Sequence, residues 1–157
     1  MPAHAPDKQA VACDGVTTLA DLIGYQLRRA SIFDLQGAAA ALAPAEARPV
    51  LMSVLLSIVE TPGMTSADIC RALSMQRANI VPILADLEQR GLFRRETDAA
   101  DRRIQRLYPT RRGTEEAARW LALVDEHEQR MLQRLGPTER RELRRLLELI
   151  WQGEIES

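Results

Sequence analysis

The sequence predicts a mainly α-helical chain carrying one small β-hairpin, on three observations. Apolar residues recur at helical spacing through most of the 157 residues. Residues 66 to 93, SADICRALSMQRANIVPILADLEQRGLF, hold two short helical repeats separated by a tight turn. Two short alternating segments then follow, at 92–95 and 104–109, with a polar tip between them that carries Arg102 and Arg103.

Residues 1–16 read as a flexible arm, with two prolines and no periodicity. A long helix is expected from Thr17 or Thr18, since Leu19, Leu22, Ile23, Leu27, Ala30 and Phe33 form one stripe. Tyr25, Ile32 and Leu35 lie off that stripe, which suggests contact on more than one side. Pro44 suits the first turn of a second helix, with Val50, Leu51, Val54, Leu55 and Ile58 as its buried face. TPGM at 61–64 is a loop. Ser66 reads as the N-cap of a short helix that turns Ile69, Cys70 and Leu73 inward. Ser74 and Met75 make the turn into a helix running from about Gln76 to Arg90. There Ile80, Ile83, Leu84 and Leu87 pack inward, leaving Arg77, Ala78, Asn79 and Pro82 toward the front. Gly91 suits the left-handed backbone of a helix C-terminus.

After the hairpin, Thr110 is a suitable N-cap for a long helix marked by Ala117, Trp120, Leu121, Val124, Met131 and Leu135. GPTE at 136–139 breaks it and opens a last helix at Pro137. That helix repeats Leu143, Leu146, Leu147 and Ile150 as a narrow apolar seam, with Trp151 beside it. The terminal helices therefore carry more apolar surface than a compact central module can cover. The excess suggests a second copy of the chain related by a two-fold axis. The expected organisation is an arm at 1–16, a dimerisation helix at 17–44, a module of short helices and hairpin at 45–112, whose chemistry points to DNA binding as argued from its charge below, and C-terminal dimerisation helices at 113–157.

Composition narrows the function. With 46% hydrophobic and 27% charged residues, the chain reads as a soluble globular protein. The opening decapeptide has no apolar signal core, and no run approaches the length of a membrane span, so the expected location is the cytoplasm. Two cysteines, Cys13 and Cys70, give neither metal-ligand spacing nor a disulfide framework. No metal or other cofactor is expected. There is no Gly-rich phosphate loop, and the carboxylate pairs Glu115–Glu116 and Glu126–Glu128 read as solvated helix faces rather than an acid–base pair. An enzyme is not expected.

The formal charge of −1 conceals a segregation. Residues 71–112 hold ten arginines against five acids, whereas the flanking segments are each net −3. A local basic patch is what phosphate backbones attract. Two short helices joined by a turn form a helix-turn-helix pattern, in which the second helix offers its N-terminal residues to base edges. Arg77 can pair bidentately with guanine and Asn79 with adenine. An exposed tip bearing Arg102 and Arg103 suits the negative potential of a minor groove. The same segments also fit a solvated turn and two helices of an ordinary bundle.

The wing segment DAADRR followed by LYPTRRG, together with GYQLRRA at 24–30 and LADLEQRGLFRR at 84–95, resembles the MarR family of bacterial winged helix-turn-helix regulators. The resemblance covers about residues 19–152. It implies a homodimer, binding to double-stranded DNA at an inverted-repeat operator, and repression relieved by a small molecule. By the resemblance, Arg103 matches the wing-tip arginine that enters the minor groove, and Asp101 the acid that shapes that tip. Arg77, Ala78 and Asn79 match the positions facing DNA. Two residues depart from the pattern: Pro82 inside the recognition helix, where it removes a backbone donor and can kink the axis, and Pro109 in place of leucine before Thr110.

Effectors in the family are often aromatic acids. Tyr25, Arg28, Arg29, Phe33 and Trp120 supply the corresponding chemistry, because a guanidinium grips a carboxylate and a phenol adds a hydrogen bond. Arg28 and Arg29 would equally serve as surface ion-pairing groups or as cover for apolar surface. A coenzyme-A thioester, a lipid-like molecule or no effector at all are the alternatives. A thiol-based redox repressor using Cys13 or Cys70 is the competing reading, although Tyr25 stands where peroxide-sensing relatives carry their cysteine, and neither thiol has visibly activating neighbours.

Overall fold

A computed structural model describes residues 18–152. The chain divides between Phe33 and Asp34, inside its first long helix, into two compact units.

The smaller unit opens with a 3₁₀ turn at Leu19–Asp21 and enters helix α1, Ile23–Leu42. The helix therefore starts later than periodicity suggested. Thr18 donates both its backbone N–H and its hydroxyl to the Asp21 carboxylate, at 2.9 and 2.6 Å, which fixes the turn. Leu19, Leu22, Ile23 and Phe33 of the expected stripe are exposed, as is Ile32.

The larger unit holds the core. The end of α1 contributes Ala38 and Leu42, both buried. A 3₁₀ turn at Ala43–Ala45 follows, and α2, Pro49–Glu60, begins with Pro49 at its first turn. This corrects the role expected of Pro44, which lies in the preceding turn. Leu51, Val54, Leu55 and Ile58 of α2 are fully buried, whereas Val50 faces outward. One more contact in this unit joins α1 to the helix after the hairpin. His127 is buried with its Nε2 at 3.4 Å from the Asp34 carboxylate, and a Cβ on Gly37 would fall 1.9 Å from its ring.

Helix α3, Ser66–Ala72, is capped by Thr65, which accepts from the Asp68 N–H while the Asp68 carboxylate accepts from the Thr65 N–H. The reciprocal pairing satisfies two otherwise orphaned donors. Ser66, the expected cap, is instead the first helical residue. Ser74 takes a left-handed φ of 50° in the turn, and the Met75 N–H closes onto the Cys70 carbonyl at 2.8 Å. Helix α4, Arg77–Gln89, then runs unbroken through Pro82. Ile80, Ile83, Leu84 and Leu87 are buried as the spacing predicts. Gly91 ends the helix at φ 69°, where the Leu92 N–H reaches back to the Leu87 carbonyl.

Strands β1, Phe93–Thr97, and β2, Gln105–Pro109, pair antiparallel with Phe93 opposite Pro109 and Thr97 opposite Gln105. Pro109 is thus the last residue of its strand. The loop after α2 braces β2, since Gly63 donates to the Leu107 carbonyl and Leu107 to the Met64 carbonyl. Phe93 and Leu107 anchor the hairpin in the core. Thr110 caps α5, Arg111–Met131, by accepting from the Gly113 N–H at 3.0 Å. Helix α6, Pro137–Trp151, has no buried residue.

Candidate nucleic-acid interface

The chemistry of the hairpin tip starts with Asp98. Its Oδ1 accepts the backbone N–H groups of Ala100 and Asp101 at 2.9 and 3.0 Å, a side-chain-closed turn that asparagine and aspartate favour. Its other oxygen pairs with the Arg106 guanidinium, which also donates to the Gly63 carbonyl at 3.1 Å. The Arg106 hydrogen bond, helped by the two backbone donors, lowers the Asp98 pKa to about 2. The carboxylate thus stays charged and welds the wing to the loop behind α2.

Asp101 forms the second layer. It accepts from the Arg103 backbone N–H at 3.0 Å and from the same guanidinium at 3.0 and 2.9 Å. The Arg103 side chain and then its N–H hold the Asp101 carboxyl below its usual range. Arg103 nevertheless projects, with 89% of its side chain exposed. Asp101 therefore fixes the direction of a solvated cation without hiding it. Arg102 is exposed beside it and meets no carboxylate among the described residues.

Helix α4 supplies the other face. Arg77, Ala78, Asn79 and Pro82 are all exposed, opposite the buried Ile80, Ile83, Leu84 and Leu87. Pro82 leaves the Ala78 carbonyl without its usual intrahelical donor. Arg95 of β1 pairs with Glu88 of α4 at 3.0 Å, which ties the wing to the outer side of this helix. A cleft of about 350 Å³ lies along α3 and α4, lined among others by Ser66, Ala67, Arg77, Val81 and Arg95. Among the described residues, Arg77 has no hydrogen-bonded or ionic partner, so its guanidinium is uncommitted.

All seven residues expected to face DNA are thus at the surface of the larger unit. Sequence reasoning passed over Asp98, Arg106, Glu88 and Arg95, whose ion pairs set the geometry. Only Asp98 left a trace in the sequence, as the first acid of the Asp-x-x-Asp spacing.

The residues expected to meet an effector are distributed differently. Tyr25, Arg28, Arg29 and Phe33 belong to the smaller unit and Trp120 to the larger. Arg29 donates to the Tyr25 hydroxyl at 3.1 Å, and its guanidinium lies 5.8 Å from the ring centre. Arg28 and Phe33 are exposed. Trp120 is 1% exposed, its indole N–H has no hydrogen-bond partner among the described residues, and it lines an open cavity of about 500 Å³ with Glu46, Arg90, Arg112 and Arg119. Cys70, 7% exposed, belongs to the core, and Cys13 lies outside the described residues. No cluster of histidine, cysteine and acidic residues suited to a metal occurs among the described residues. No single helix among them is long and apolar enough to cross a membrane.

A helix-turn-helix followed by an arginine-tipped hairpin defines a winged helix-turn-helix transcriptional regulator. A model of the MarR family matches residues 52–104, from α2 through the wing tip. The chain is 30% identical over 141 residues to a putative transcriptional regulatory protein for the hcr operon of Thauera aromatica, covering 89% of this chain and 85% of the relative. The solved structure of the transcriptional repressor CouR bound to a 23-mer DNA duplex is 35% identical, with a TM-score of 0.79 over 84% of this chain and 94% of that one. CouR from Rhodococcus jostii RHA1 bound to p-coumaroyl-CoA is 28% identical, with a TM-score of 0.76 over 86% and 95%. The chain belongs to the MarR family of transcriptional regulators.

Proposed function

We propose that this chain is a homodimeric repressor that holds an inverted-repeat operator and releases it on binding a small aromatic acid or its thioester. The wing carries this reading. Asp98 and Asp101 spend their hydrogen bonds on the backbone and arginines of the tip, leaving Arg102 and Arg103 projecting from a rigid turn. Such a turn suits the minor groove, while the exposed front of α4 suits the major groove. The similar CouR structure with bound duplex supports the same use of the fold.

Dimerisation follows from the terminal helices. On α6, Leu143, Leu146, Leu149, Ile150 and Trp151 are between 37% and 70% exposed, an apolar face that a single chain leaves in water. A two-fold dimer would place its half-sites about one helical turn, roughly 10 bp, apart. For the effector, Arg29 is held against Tyr25 and offers a carboxylate both a charge and a neighbouring hydroxyl. The similar structure holding p-coumaroyl-CoA supports an aromatic acyl ligand. The thiol-based alternative draws no support from Cys70, which lies in the core away from solvent.

The test is selection of duplexes from a random pool, followed by salt titration of the selected site. Wild type should enrich an inverted repeat. Arg103→Ala should bind it roughly 5- to 150-fold more weakly, with a shallower salt dependence. Unchanged affinity and salt slope in that variant would remove the wing from the interface.

A further inference from the structure

Helix α4 presents one large aliphatic side chain that the core does not use. Val81 is 65% exposed, although it sits between the buried Ile80 and Ile83. It follows Arg77 by four residues, so the two side chains lie on the same side of the helix, about 6 Å apart along the axis. Both line the cleft beside α3, as does Arg95, whose guanidinium is paired with Glu88. A branched apolar group beside the guanidinium of Arg77 is poorly matched to a hydrophobic protein partner, whose surface would have to bury that cation. It is well matched to the major groove of a duplex, which offers guanine acceptors to Arg77 and the methyl group of thymine to the valine. Ala78 and Ala85, the exposed neighbours on this front, are small enough for the helix backbone to approach the groove closely.

We infer that Val81 reads a thymine methyl group in each operator half-site and is a specificity-determining residue of the recognition helix. The inference rests on the operator-binding reading above and adds the base that the helix prefers. Since 6 Å of helix axis corresponds to between one and two base steps of about 3.4 Å, the thymine should lie one or two base pairs from the guanine read by Arg77. Bulk water is excluded where the methyl meets the valine, so the contact behaves as burial of a small apolar group.

The experiment uses the full chain and the duplex that wild type selects from a random pool, with each thymine replaced in turn by uracil, which differs only by the methyl. One thymine per half-site should be sensitive, with wild-type affinity falling about fourfold, the equivalent of ~0.8 kcal/mol for one buried carbon group. Val81→Ala should bind the thymine and uracil duplexes equally, while melting at the wild-type temperature because the position is exposed. Val81→Thr, similar in shape, should retain part of the discrimination. Insensitivity of wild type to uracil at every position would overturn the inference and leave operator binding intact. So would full thymine preference in Val81→Ala, which would hand the methyl contact to a neighbour such as Pro82. Failure of wild type to select any site would overturn the operator reading itself and this inference with it.

Discussion

Replacing Gly113 by alanine is expected to destabilise the protein although it places a better helix former in the first turn of α5. In open space the exchange would gain up to about 1 kcal/mol. Here the added Cβ would fall 1.8 Å from the carbonyl oxygen of Leu92 and 2.8 Å from its carbonyl carbon. The obstacle is backbone, and it is already committed, because the same oxygen accepts the Thr110 N–H at 3.1 Å. Leu92 is itself buried at the start of the wing. The clash cannot be relieved by turning a side chain; α5 or the base of the wing must move. Overpacking of this kind costs about 1–3 kcal/mol, and contact with backbone puts the cost near the top of that range. The net loss is then about 1–2 kcal/mol, or roughly 2–8 °C in melting temperature for a chain of this size. Thermal unfolding followed by circular dichroism at fixed protein concentration measures it. Thr110→Val is a useful companion, since it removes the cap, at about 1 kcal/mol, without adding a clash. An alanine variant that melts with wild type or above it would refute the claim that the α5 backbone and Leu92 are in rigid contact.

Other outcomes follow from the same structure. The Asp98 carboxyl titrates at about 2 in the folded wing against an ordinary 3.8, so its bracing is fully present above pH 3.8 and is lost as pH falls through about 2. Amide exchange at Ala100 and Asp101 should therefore quicken only in that acid range, and Asp98→Asn should show no such step; a step near neutral pH would exclude Asp98 as the cause. Deleting residues 137–157 removes the seam of Leu143, Leu146, Leu147 and Ile150, each worth roughly 1.5–3 kcal/mol when fully buried. Sedimentation should then show loss of the dimer, and a folded dimer of the truncated chain would contradict the proposed interface. In a thermal-shift screen of aromatic acids and their coenzyme-A thioesters, a hit should raise the melting temperature and release the operator. Both effects should be lost in Arg29→Ala; hits that act undiminished on variants at Tyr25, Arg28 and Arg29 would place the effector elsewhere.

What the sequence determined by itself was local. The buried faces of α3 and α4, the left-handed Gly91, the Thr110 cap and the alternation through β2 each depend on neighbours a few residues away, so spacing and residue type were sufficient. The exposed front of Arg77, Ala78, Asn79 and Pro82 followed from the same periodicity, by subtraction of the buried positions. Close alternatives were less legible. Thr65 caps α3 in place of Ser66, and Pro49 opens α2 in place of Pro44, because residues of similar chemistry within one or two turns compete and only the path of the chain selects between them.

Tertiary structure alone decided the contacts between distant segments. Arg106 reaches the Gly63 carbonyl 43 residues away, and that contact, with Asp98, makes the wing a rigid projection. His127 is buried against Gly37 and Asp34, which lie far from it in the sequence. Val81 is apolar and stands next to buried Ile80, and only its exposure in the folded chain sets it apart. Periodicity reports that a side chain is apolar and which way it turns relative to its neighbours. Whether protein, water or DNA lies in that direction depends on how the other elements pack, and no local pattern carries that information.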